Sequence, residues 1–164
     1  MKIALCNEVL RDLPIERQAE MAAALGYSGL EIAPFTLDEA AWSLSPDRRA
    51  AIRRACANAG IAVSGLHWLL VSPPGLSITT ADTSARDRTI DVMRRLIDLC
   101  ADLGGTYLVH GSPGQRRISE DSDPGAAAER GKAAWAAIAA DAAGAGVVYC
   151  IEPLARPEAD FVTT

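Results

Sequence analysis

Four ionisable residues, each closing an apolar run, are where this chain could do chemistry. In VVYCIEPLARPEADF (147–161) the run Val147 to Ile151 stops at Glu152, with Pro153 next and Arg156, Glu158 and Asp160 close behind. Three earlier runs end the same way: GYSGLEIAP at Glu31, GIAVSGLHW at His67 and GGTYLVHG at His110. A carboxylate at the tip of a buried strand is costly unless it is paired or binds a cation. Glutamate and histidine are also groups that ligate a metal or act as a general base. Ion pairing competes for Glu152 and Glu31, helix capping for Glu31, and a purely structural hydrogen bond for the two histidines.

The spacing of these residues says what must position them. Each follows an Ala/Cys-rich helical tail, a glycine (Gly26, Gly60, Gly104, Gly146) and a short apolar run, and the four are separated by 36, 43 and 42 positions. That interval holds a strand, a loop and a helix. Pro14, Pro46 and Pro124 suit first helical turns, with Ser45 and Asp123 as N-caps for the last two. From Ser84 to Leu103, Ile90, Met93, Leu96, Ile97, Cys100 and Leu103 recur at helical spacing. With KIALC at the start, the chain reads as five strands alternating with four helices, an α/β protein with a parallel sheet. Two architectures fit. One is the first five β/α units of a (β/α)8 TIM barrel, whose strand ends ring one pocket. The alternative is a five-stranded open doubly wound sheet, which suits the length but gathers ligands at a single switch point. Glu, His, His and Glu on successive strand ends favour the barrel. On that reading residues 1–164 form a single incomplete barrel domain, with the carboxyl-terminal half absent.

Composition narrows the function. The 16 basic and 21 acidic residues give a formal net charge of −5, with no Lys/Arg-rich run, so no nucleic-acid partner is expected. No apolar run approaches the ~18 residues of a membrane span, and MKIALCNEVLRD is too short and too soon charged to read as a signal peptide. Cys6, Cys56, Cys100 and Cys150 lack zinc-site spacing and read as free core thiols of a cytoplasmic protein. Ser64 and Ser112 have no nucleophile-elbow context. In HGSPGQR, Arg116 is placed to approach an anion or a sugar hydroxyl, and the long VSPPGLSITTADTS link has the length of a pocket-covering loop.

GYSGLEIAPF, HGSPGQR and IEPLARPEADFVTT resemble the xylose isomerase-like TIM-barrel superfamily, in its sugar phosphate isomerase/epimerase branch, which includes ketose 3-epimerases. Glu-Pro-Leu-x-Arg-x-Glu, Glu152 to Glu158, is the most specific piece. The resemblance implies a divalent metal (Mn, Co, Mg or Zn) with Glu152 as its first ligand and also an acid/base carboxylate. It implies that Glu158 contacts the substrate near its carbonyl end, and that His67 and His110 line the pocket, with Glu31, Arg116 and Arg156 as further substrate-binding candidates. The family's other ligands, an Asp, a His and a second Glu, come from later strands. Ala155, Pro157 and Thr163 stand where members often carry Asn, an aromatic and Asn.

The function expected is therefore a metal-dependent isomerase or epimerase of small sugars or hydroxy-carbonyl compounds, acting through an enediolate. The chain would be a fragment of the full enzyme, inactive alone, and prone to self-association or to pairing with a complementary half through its open sheet edges. Two other readings compete: an endonuclease IV-like zinc phosphodiesterase, and a non-catalytic half-barrel that binds or assembles.

Overall fold

The computed structural model describes residues 1–120 and 122–163. Five short strands, β1 (Ala4–Cys6), β2 (Gly29–Ile32), β3 (Ala62–Leu66), β4 (Tyr107–His110) and β5 (Val148–Ile151), alternate with helices. These are α1 (Ile15–Ala24), α2 (Pro46–Asn58), α3 (Thr83–Leu103), α4 (Pro124–Ala136) and α5 (Ala139–Ala145). All neighbouring strands are parallel, and their order in the sheet is β1-β2-β3-β4-β5. Strictly sequential order is the winding of a barrel. A doubly wound sheet would reverse direction at a switch point, so that alternative is excluded.

Helix boundaries follow local chemistry. Ser45 accepts from the Arg48 amide and Asp123 from the Ala126 amide, as their N-cap positions predict. Asp82 caps α3 through the amides of Ser84 and Ala85, so this helix starts ahead of Ser84. The expected fourth helix is two: the chain breaks after Ala136 and restarts at Ala139, with Ile138 buried at the joint. Gly104 and Gly146 end α3 and α5 in the left-handed conformation that glycine adopts without steric cost.

Helices cover one face of the sheet. Leu30, Ile32, Leu66 and Leu108 point to that side and meet Ile52, Met93, Leu96 and Ile97 in the buried core. The opposite, inner face carries Cys6, Glu31, Ser64, Tyr107 and Cys150, all half-buried. The cysteines therefore divide. Cys56 and Cys100 are core thiols as expected, whereas Cys6 and Cys150 sit half-buried on the inner face, and all four are free. Among the described residues, no helix is long and apolar enough to cross a membrane.

One extra residue in β3 shifts the pairing: Leu30 faces Val63, but Glu31 faces Gly65. Gly65 then pairs with Tyr107, and a Cβ there would fall 2.7 Å from Cδ2 of the Tyr107 ring. Gly65→Ala is expected to cost roughly 1–3 kcal/mol by overpacking. Gly114, with open space around it, should tolerate alanine within about 0.5 kcal/mol. Urea denaturation of the two variants checks the difference.

Candidate active site at the carboxyl edge of the sheet

Glu31, on β2, is inside the sheet edge, and among the described residues its partners are an imidazole and a phenol, with no Lys or Arg paired to it. Its Oε2 lies 2.9 Å from His67 Nδ1, and its Oε1 lies 2.9 Å from the Tyr107 hydroxyl. The Tyr107 oxygen is also 3.2 Å from Ser64 Oγ; its single proton goes to the carboxylate, the stronger acceptor. His67 leaves β3 with its amide bonded to Ile32 O at 2.9 Å. Its other ring nitrogen, Nε2, stands 3.5 Å from Glu152 Oε2. One imidazole thus lies between two carboxylates, and Glu31, with the shorter contact, fixes the ring.

The Glu152 carboxylate reaches His67 because the residue between them has no side chain. A Cβ on Gly111 would overlap Glu152 Oε2 and lie 3.4 Å from His67 Nε2. Around this point is a cavity of about 220 Å³. His67, Glu152 and Glu158 form its polar flank, Trp68, Pro113 and Leu154 its apolar one, and Gly111 lies between. Glu158 also accepts from the Ala155 amide at 3.3 Å, which holds it at the rim. Behind His67, Cys6 completes a group with Glu31 and His67 whose donor atoms all lie within 4.8 Å of one another.

The other expected residues lie elsewhere. His110 faces the helix layer and is fully buried. Its Nδ1 accepts from Trp135 Nε1 and the Tyr149 hydroxyl, both at 3.1 Å, so the ring proton belongs on Nε2. It does not line the cavity. Arg116 is fully buried as well, and donates to Glu152 O at 2.8 Å and to Gly111 O at 2.9 Å. It clamps the ends of β4 and β5 and is not turned toward a ligand. Arg156 lines a separate hollow beside Asp160 and Ser122. Cys6, Trp68, Tyr107 and Gly111 belong to the site although the sequence reading passed over them. The glycine after His110 and the tyrosine three residues before it were the available signals.

Environment sets the charges. The Glu31 hydrogen bond, then its charge and that of Glu152, hold the His67 imidazolium above its ordinary 6.5, against the opposing effect of burial. Burial alone would raise Glu31, but the bonds from His67 and Tyr107 and the His67 charge hold it below 4.5. Burial pushes Tyr107 up to about 12. Burial, then the charge of Arg116, drives His110 down to about 3, so it stays neutral.

The signs of linkage follow. The His67 contribution to stability is complete below 6.5 and is lost as pH rises through its raised value. That of Glu31 is complete above 4.5 and is lost as pH falls through its lowered value. His110 acts against the fold in acid: between 6.5 and about 3 the unfolded chain takes up a proton that the folded one refuses. With two histidines in the chain, ring NMR signals resolve both. One should titrate above 6.5 and move down in Glu31→Gln; the other should stay unprotonated to about pH 3 in both proteins.

Comparison with known proteins agrees with this architecture. A D-psicose 3-epimerase solved in the presence of D-fructose superposes with a TM-score of 0.82 at 20% identity, covering 99% of this chain and 55% of its own. A D-psicose 3-epimerase from Clostridium cellulolyticum H10, solved with D-tagatose, gives 0.81 at 19% identity, covering 99% and 55%. A 3-keto-D-glucoside 4-epimerase from E. coli gives 0.74 at 18%, covering 95% and 57%. At such identities the likeness is one of fold, and this chain spans little more than half the length of these structures. No curated protein sequence matches it. The family described as xylose isomerase-like TIM barrel matches residues 19–164. Sequential parallel winding, strand tips meeting at one edge and that match together establish that this chain belongs to the xylose isomerase-like TIM-barrel family.

Proposed function

We propose that this chain carries the Glu152 side of a metal-dependent isomerase or epimerase site for small sugars or hydroxy-carbonyl compounds. The observation that carries the reading is Glu152 itself, a half-exposed carboxylate opening on the cavity with the His67 imidazole aimed at it. Glu152 acts as the proton-transfer base toward the carbon beside a carbonyl. His67 orients that carboxylate, and Glu31, steadied by Tyr107, orients His67. Glu158, at the rim, is placed to accept from a substrate hydroxyl. The sugar epimerases that share this fold support the same chemistry.

The donor set suits a divalent metal. Two ligands of one cation, each ~2.1 Å from it, can stand 3.5 Å apart, the separation of Glu152 Oε2 from His67 Nε2. The carboxylate on the far ring nitrogen, Glu31, is the usual support of a ligating histidine. Glu152 and His67 would hold the ion, which supplies Lewis-acid stabilisation of enediolate charge. The phosphodiesterase reading is less well supported, because His110 faces away from His67 and the cavity presents two carboxylates to an anionic backbone.

The edges support a partner. β1 and β5 are the two ends of the sheet, and Val148 and Ile3 are 62% and 50% exposed there. Unpaired strand edges recruit further strands, from a second copy or from a complementary half. The chain should therefore self-associate in sedimentation; a monomer at all concentrations would overturn this part.

Activity is tested by deuterium uptake from D2O at the carbon next to the carbonyl of a ketose panel, with Mn2+ and with chelator. The chain alone should exchange little. Joined to a polypeptide that supplies the remaining β/α units, it should exchange in a metal-dependent way, and Glu152→Gln should slow this by ~100-fold or more. Exchange indifferent to Glu152→Gln would sink the reading.

A further inference from the structure

We propose that Trp68 is a specificity residue of this cavity, the apolar platform on which an uncharged polyhydroxy ligand lays its C–H face, and that phosphorylated ligands are rejected there. The inference rests on the sugar reading and adds to it a residue and a charge class.

Trp68 is the residue after His67 and is 38% exposed. Its backbone is left-handed, with φ of 55°, a conformation that a bulky residue rarely adopts. Strain of this kind persists only where the surroundings impose it, and it clusters at ligand sites. Here the flanks impose it. The His67 amide is bonded to Ile32 O; Leu69 and Leu70 are buried; and the Ser112 hydroxyl donates to Leu69 O. With both sides anchored, the indole is turned into the cavity. It stacks beside the His67 ring, with centroids 6.0 Å apart and planes 26° from parallel.

A sugar has one face rich in C–H bonds and hydroxyls around its rim. This cavity has the matching division: an indole on one flank, carboxylates and an imidazole on the other. Charge decides the rest. Among the described residues, no Lys or Arg lines the cavity, and Glu152 and Glu158 both do. Arg116 is committed to two backbone carbonyls and Arg156 lines a different hollow. With no metal bound, a phosphate here would meet two carboxylates, and the His67 ring beside them is already bonded to Glu31.

The test uses the full chain, with D-fructose and D-fructose 6-phosphate as probes. Of its three tryptophans, Trp42 and Trp135 pack against the core, so the indole N–H NMR signals distinguish Trp68. D-Fructose should move the Trp68 indole and His67 ring signals together, while the phosphate ester should bind at least tenfold more weakly, a difference of about 1.4 kcal/mol. Trp68→Ala should weaken D-fructose binding by roughly three- to tenfold, the range of one lost aromatic contact, and Trp68→Phe should retain most of it. If D-fructose moves His67 without Trp68, the platform is wrong and the sugar reading stands. If the phosphate ester binds as well as the free sugar, the charge argument fails. If neither signal moves at any workable concentration, this inference fails, while the sugar reading stands or falls on the deuterium exchange of the joined protein.

Discussion

A carboxylate placed inside a sheet edge, with no Lys or Arg paired to it among the described residues, sets the terms for this structure. Glu31 is tolerable there only because two donors are brought to it, the imidazole of His67 from β3 and the hydroxyl of Tyr107 from β4. Each donor comes from a different strand, so satisfying one half-buried charge fixes three strands relative to one another. The fourth strand follows, because His67 then presents its remaining nitrogen toward Glu152. The arrangement at this edge depends on Glu31 remaining ionised, and the bonds that hold it below the ordinary carboxylate range are the bonds that join the strands here.

His110 and Arg116 serve the same edge from behind. A neutral histidine accepting from Trp135 and Tyr149 anchors α4 and β5 to the end of β4. Arg116 fastens the carbonyls of Gly111 and Glu152, the two residues whose close approach lets the Glu152 carboxylate face His67. Neither touches the cavity, yet both control where Glu152 points. A polar side chain at a strand end has two places to go, and the helix layer is as demanding a destination as the mouth.

The parallel sheet, its helices and the convergence of Glu31, His67 and Glu152 were legible in the sequence, because a repeated glycine, apolar run and ionisable residue is a period that only alternating helices and strands produce. The fate of His110 was not, for a reason of parity. Val148 follows Gly146 by two residues, but its partner Tyr107 follows Gly104 by three, because Gly105 adds one. The shift pairs His110 with Ile151 instead of Glu152, and with a side-chain period of two it turns His110 outward. Arg116 escaped for a different reason: nothing local says that a turn arginine will find two carbonyls. Trp68 was hidden because backbone handedness is set by the burial of Leu69 and Leu70, which are distant in effect from the motif.

The inner face also shows how small residues let long ones act at a distance. Tyr107 on β4 crosses β3 to reach Glu31 on β2, and the residue it crosses is Gly65. Glu152 after β5 crosses the β4 tip toward His67 at the end of β3, and the residue it crosses is Gly111. In both cases a side chain spans one intervening strand, and that strand carries no Cβ at the crossing point. With neighbouring strands about 4.8 Å apart, the reach is close to two strand spacings, which a tyrosine covers with its ring and a glutamate covers only with help from the facing imidazole. The polar chain from Ser64 through Tyr107, Glu31 and His67 to Glu152 is thus built from two crossings over glycine joined by one short bond. Replacing either glycine would break the chain without altering a single polar group in it. A site of this kind is specified as much by where side chains are missing as by the carboxylates and imidazole that occupy it.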